Sequence, residues 1–132
     1  MTYNNPRAAV ADETVETSSV DLLGVDVSRT EASAVVCRIA GDLDLGTVDT
    51  ARAMLDLALA SRAQVLVVDL SAVEFCDSAG LNMLLQIRLD ADAAGTTMRL
   101  ASPASAVARI FELTGADSVF SIHASMEEAS HA

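Results

Sequence analysis

The sequence has no lysine: its eight basic residues are all arginines. That excludes a Walker-type phosphate loop, a Schiff-base enzyme and a receiver-type site built on a lysine. Tryptophan is also absent, and only 3% of the residues are aromatic. The core must therefore be built from Val, Leu, Ile, Ala and Met. Cysteine is scarce, with Cys37 and Cys76 each set among apolar neighbours. That spacing makes neither a metal motif nor a small disulfide framework, so both are read as buried free thiols. No apolar run reaches the roughly 18 residues of a membrane helix, and the start shows no signal-peptide pattern. The expectation is a soluble cytoplasmic protein without a membrane role. Positive charge is outweighed: the formal net charge is −11. Such a field repels nucleic acid and attracts a basic partner protein.

What is present suits one folded domain. The chain has 132 residues, of which 52% are apolar, enough for a real core. Residues 1–19 are polar and without periodicity, and read as a mobile tail; residues 20–130 read as the folded unit. Leu22 to Arg29 reads as a first strand. Ala34 to Ala40 is a second, with Val35, Cys37 and Ile39 on one face and Val36 and Arg38 on the other. A turn near Arg29-Thr30-Glu31 would pair them as a hairpin. The second strand ends in Gly41-Asp42-Leu43-Asp44. Gly46-Thr47 then opens a helix to about Ser61, with Thr47 as its cap and Asp49 in its first turn. Val48, Ala51, Met54, Leu55, Ala58 and Leu59 form its core stripe.

The organising stretch follows. Val65 to Val68 is an unbroken β-branched-rich run, the pattern of a strand buried on both faces. Asp69 to Cys76 reads as a loop. After Asp77-Ser78-Ala79-Gly80, the residues Leu81, Leu84, Leu85, Arg88 and Leu89 recur at helical spacing, and Gly95 ends that helix. Thr97 to Ala101 is a further strand. Ser102-Pro103 reads as a cap with a first-position proline. Val107, Ile110, Phe111 and Leu113 form the next buried stripe, ended by Gly115. Val119 to His123 is a last strand, and Ser125 to Glu128 has capping-box spacing for a final helix. Strand alternating with helix implies right-handed crossovers. The fold class is α/β: one domain with a mixed, mostly parallel sheet of four to five strands and about four helices.

Ser78 therefore sits where a strand region gives way to a helix, a place where free amides and the helix dipole stabilise a phosphate. Asp42, Asp44 and Asp69 are read as strand-end residues, which would gather with Ser78 at the carboxyl edge of the sheet, where α/β sites form. A plainer reading makes Asp44 a cap or flank of a helix, Asp69 a tie for loop amides and Ser78 an ordinary N-cap. A serine hydrolase would need Gly-x-Ser-x-Gly and a histidine base; the chain offers Cys76-Asp77-Ser78-Ala79-Gly80. Its histidines are His123 and His131, and no catalytic residue, metal or cofactor is expected.

Three segments carry a family resemblance. Asp69-Leu70-Ser71 with Phe75-Cys76-Asp77-Ser78-Ala79-Gly80-Leu81 resembles the signature of STAS domains, in the form found in bacterial anti-sigma factor antagonists. Gly41-Asp42-Leu43-Asp44 is similar to that family's Gly-Glu-Leu-Asp segment. Ser102-Pro103 with Val107, Ile110 and Phe111 resembles its later helix. The likeness spans about Leu22 to Ala129. It implies a non-enzymatic switch. The unphosphorylated protein binds an anti-sigma factor, usually a serine kinase, and frees the sigma factor. The kinase phosphorylates the residue matching Ser78, and a serine phosphatase restores it. The partner-binding residues so implied are Asp42, Asp44, Ser71, Asp77, Ser78, Ala79, Gly80, Asn82 and Met83. The alternative is a STAS scaffold or ligand-binding module that phosphorylation does not regulate. Departures from the family pattern are Asp42 for glutamate, Cys76 for an aliphatic residue and the missing lysine.

Overall fold

The computed structural model describes residues 23–29 and 33–131. The expected tail, residues 1–19, and the turn after Arg29 lie outside them. The elements are β1 (Leu23–Arg29), β2 (Ala34–Leu43), α1 (Val48–Ala60), β3 (Val65–Cys76), α2 (Ser78–Ala93), β4 (Thr97–Ala101), α3 (Ser105–Thr114), β5 (Ile122–His123) and α4 (Met126–His131). The five strands lie in the order β1-β2-β3-β4-β5. β1 runs antiparallel to β2, and the other neighbours are parallel. The expected mixed, mostly parallel sheet is the one found.

Alternation sorts the strand residues to two faces. Val35, Cys37 and Ile39 of β2 join Leu66, Val68 and Leu70 of β3 and Leu100 of β4 in the main core. Leu55 and Ala58 of α1, Leu84 and Ile87 of α2, and Val107 and Phe111 of α3 cover that face. Val36, Val67 and Ala101 point the other way, under Ala129 and Met126 of the short α4. Ser125 holds α4's start by accepting from Glu128 N at 3.1 Å. The Glu128 carboxylate reaches one residue beyond a standard capping box, to Ala124 N at 3.3 Å.

β3 departs from the sequence reading. It does not stop at Val68 but continues to Cys76, so the expected Asp69–Cys76 loop is strand. Two register shifts against β2 explain this: Arg38 faces Asp69 while Ala40 faces Ala72, and Gly41 faces Val73 while Asp42 faces Phe75. Each shift places one extra residue in β3, as a bulge does. Val73 and Cys76 return to the core while Ser71, Ala72, Glu74 and Phe75 stay exposed. The buried spacing becomes three rather than two, which hides the strand from a search for alternation.

Other boundaries shift for local reasons. β2 runs on past Ala40 to Leu43, with Gly41 at φ 111° between the two shifts, a conformation glycine takes at little cost. α3 starts at Ser105 rather than at Pro103, with Ala104 as its cap. Ser102 instead takes φ 55° and its hydroxyl donates to Ala124 O at 3.1 Å. The stretch after Gly115 makes a 3₁₀ turn at Ala116–Ser118, leaving only Ile122–His123 as strand. Phe120 turns inward there and meets Phe111 at 5.6 Å between ring centroids. Leu113 is exposed, contrary to its place in the expected stripe. Helix ends at Gly95 and Gly115 are as expected: both glycines are left-handed, at φ 77° and 80°.

Candidate partner-binding site

The carboxyl ends of β2 and β3 lie side by side, with Leu43 paired to Cys76. The chain leaves them in two loops that Asp77 joins. Asp77 is the cap of α2, in extended conformation, and its Oδ1 accepts from Gly80 N at 3.0 Å. Its Oδ2 accepts from Leu45 N at 3.3 Å in the loop after β2. Its own amide donates to Leu43 O at 3.1 Å. One acid thus fixes the start of α2 and ties it to the neighbouring loop.

The loop after β2 is held just as closely. Asp44 Oδ1 accepts from Gly46 N at 2.9 Å, a turn closed by a side chain onto its own backbone. The buried Thr47 hydroxyl donates to Asp42 O at 2.8 Å and accepts from Asp44 N at 3.0 Å. Thr47 is the residue just outside α1 but makes no side-chain cap bond to it. Its hydroxyl locks the loop instead.

Gly80 explains how close the two loops come. A Cβ there would stand 2.5 Å from Leu43 O and 2.9 Å from Leu43 Cγ, with Cys76 Sγ at 3.1 Å. Only a residue without a side chain lets the first turn of α2 seat against the end of β2. Cys76 is fully buried at this junction, and burial, then the nearby Asp77 charge, pushes its thiol up to about 11. Cys37 is buried deeper in the sheet; burial and then Asp26 push it up to about 12.

Ser78 is the first residue of α2, one place after the cap, and is exposed. Its hydroxyl makes no hydrogen bond among the described residues. The plainer reading of Ser78 as the helix cap therefore does not describe this helix: Asp77 does that work. Amides of the first turn have no intrahelical acceptor. Gly80's goes to Asp77, and those of Ser78 and Ala79 have no acceptor among the described residues.

The remaining predicted residues separate. Asp42 and Asn82 are exposed, and Asp44 and Ala79 are partly exposed, around Ser78's edge. Gly80 is buried against Leu43, and Met83 is 5% exposed in the main core, so neither offers surface to a partner here. α2 buries Gly80, Leu81, Met83, Leu84, Ile87 and Ala91. Of the expected stripe, Leu81 and Leu84 are buried and Leu85 packs against the core, Arg88 is partly exposed, and Leu89 faces outward. Ser71 is exposed but sits back in the bulged part of β3. Its amide donates to Asp69 Oδ1 at 2.9 Å.

Asp69 does not belong to the edge. It lies within β3, only 2% exposed, on the face away from the main core. Arg38 Nε donates to its Oδ2 at 2.9 Å. Burial drives its carboxyl up, but the Ser71 amide, the Arg38 side chain and the Ser71 hydroxyl favour the charged form. It therefore titrates below the usual carboxylate range. Two residues at the edge carry no chemical signature in sequence: Leu45, 77% exposed, and Phe75, 47% exposed. Phe75 pairs with Asp42 on the outer face of the sheet.

No cluster of His, Cys, Asp and Glu suited to a metal occurs among the described residues. No helix there is long and apolar enough to cross a membrane.

The fold is a five-stranded α/β domain in which an exposed serine, free of the capping role, opens a helix at the sheet edge. The chain belongs to the STAS domain family, whose model matches residues 26–129. Among solved structures it is similar to an anti-sigma factor antagonist from Mycobacterium paratuberculosis. That likeness is 26% in identity with a TM-score of 0.76, covering 86% of this chain and 95% of that one. It is also similar to the Bacillus cell fate determinant SpoIIAA, 23% identical in both its unphosphorylated and phosphorylated forms. Those TM-scores are 0.67 and 0.62, over 80% of this chain and 92% and 96% of the other. A sulfate transporter family protein from Wolinella succinogenes matches at 15% identity and a TM-score of 0.66, over 77% of this chain and 84% of that one. The Bacillus and Wolinella proteins speak for the fold alone.

Proposed function

We propose that this protein is a cytoplasmic anti-sigma factor antagonist. It binds an anti-sigma factor that is itself a serine kinase, and so frees the sigma factor. Phosphorylation at Ser78 switches it off, and a serine phosphatase resets it. It performs no catalysis of its own. The observation that carries this reading is the Ser78 hydroxyl: exposed, free of any hydrogen bond among the described residues, and spared the capping role by Asp77.

The chemistry of the switch follows from that position. A phosphate adds about −1.5 to −2 charges at neutral pH. The free amides of Ser78 and Ala79 hold part of that charge, so the fold survives. Outside the helix the phosphate stands beside Asp77, on a chain of net charge −11. A partner packed over Ser78, Ala79 and Asn82 and over Asp42 and Asp44 would then meet bulk and unpaired charge. A penalty of about 3 kcal/mol would weaken it roughly a hundredfold.

Calorimetry with an anti-sigma factor kinase from the protein's own cell tests this. The unphosphorylated protein and Ser78→Ala should bind alike. The phosphorylated protein should bind at least about tenfold more weakly, and Ser78→Asp should fall between, since it brings one charge rather than nearly two. Equal affinity of all four would remove Ser78 from the switch.

A further inference from the structure

We infer that Leu45 and Phe75 are the apolar anchors of this edge, and that they fit a basic partner surface: an apolar recess rimmed by arginine or lysine. The inference rests on the proposed function and names what the partner grips. Leu45 is the most exposed large apolar residue among those described, at 77%, and Phe75 is 47% exposed. Neither is on a frayed segment. Leu45 is pinned on one side by the Asp44 turn and through its own amide by Asp77. Thr47 locks the same loop from below. Phe75 is fixed by its pairing with Asp42 at the second bulge, which turns it outward. An apolar side chain carried on a backbone that is already fixed has less freedom to lose on binding, which favours a contact contributing much of the affinity.

Charge decides the class of occupant. The two anchors are set among Asp42, Asp44, Glu74 and Asp77. No arginine lies between Arg38 and Arg52 in the stretch that carries Leu45, or between Arg62 and Arg88 in the one that carries Phe75. A second copy of this chain would bring the same acids to the contact, and nucleic acid or an anionic membrane would be repelled. A basic protein surface is attracted, and its cations would pair with the rim while the anchors fill its centre.

Calorimetry on the full chain with the same anti-sigma factor kinase tests the inference. Leu45→Ser and Phe75→Ser should each lose at least about tenfold in affinity. Leu113→Ser is the control: similarly exposed, at 73%, but at the far end of α3. It should bind as wild type, and all three should keep the wild-type thermal midpoint. In the phosphorylation of Ser78, Leu45→Ser should raise KM and leave kcat nearly unchanged, since it removes docking rather than the acceptor. Wild-type affinity in either anchor variant, or a fall in kcat alone, would overturn the pair of anchors and leave the proposed function standing. No binding by the wild type would overturn both.

Discussion

Ser71 and Ser78 are both exposed hydroxyl residues of the family signature, and the molecule treats them differently. Ser71 lies in the bulged part of β3. Its amide is spent on the buried Asp69, whose negative charge Arg38 balances. A phosphate there would meet a buried carboxylate and find no free amide from its own residue. Ser78 opens a helix whose cap is another residue, so its hydroxyl is free and the amides of Ser78 and Ala79 have no acceptor among the described residues. Exposure alone does not separate the two serines; what each backbone amide already holds does.

The largest expected effect attacks the ground on which Ser78 stands. Gly80→Val would force branched carbon into a site where even a Cβ lies 2.5 Å from Leu43 O. It should cost about 1–3 kcal/mol or more, read as a lower midpoint in thermal unfolding. Ala72→Ser, on the exposed bulge near Ser71, should stay within about 0.5 kcal/mol of wild type.

Next comes the pair that anchors the Ser71 side. Asp69 is held below its ordinary pKa, so its contribution is full above the unfolded value, about 3.9. It is lost as pH falls through the lower folded value. In Arg38→Met the buried carboxyl loses its guanidinium and its pKa rises. Acid unfolding followed by circular dichroism should then begin at higher pH than in wild type. An unchanged acid transition would show that Asp69 is satisfied without Arg38.

Asp77→Ala should cost about 0.5–2 kcal/mol as a lost cap, and hydrogen exchange should show faster exchange at Leu45 and Gly80 together. Ser78→Ala should change as little as Ala72→Ser, within about 0.5 kcal/mol of wild type, because its hydroxyl holds nothing. A loss as large as that of Asp77→Ala would mean that Ser78 shares the capping.

The fold is legible in the sequence where the period is regular. Val35, Cys37 and Ile39 announce their strand, Gly95 and Gly115 their helix ends, and the Asp-Ser-x-Gly segment its helix start. The second half of β3 is not legible, because its two bulges replace alternation by a spacing of three. Asp69 is misplaced for that reason, as a residue following a strand rather than one within it. Met83 and Gly80 look available from their place near Ser78, but the helix rotates them onto the core. Leu45 escapes notice, and Phe75 is noticed only as part of the family signature, because an exposed apolar residue carries no chemical signature; only its setting among acids on a fixed backbone marks it.

The proposed switch requires that the free hydroxyl of Ser78, and not that of Ser71, receive the phosphate. Site-resolved mass spectrometry of wild type, Ser71→Ala and Ser78→Ala, each incubated with ATP and the anti-sigma factor kinase, tests it most directly. The expected result is one phosphate on Ser78 in wild type and Ser71→Ala, and none in Ser78→Ala. Phosphate on Ser71, or undiminished labelling of Ser78→Ala, would contradict it.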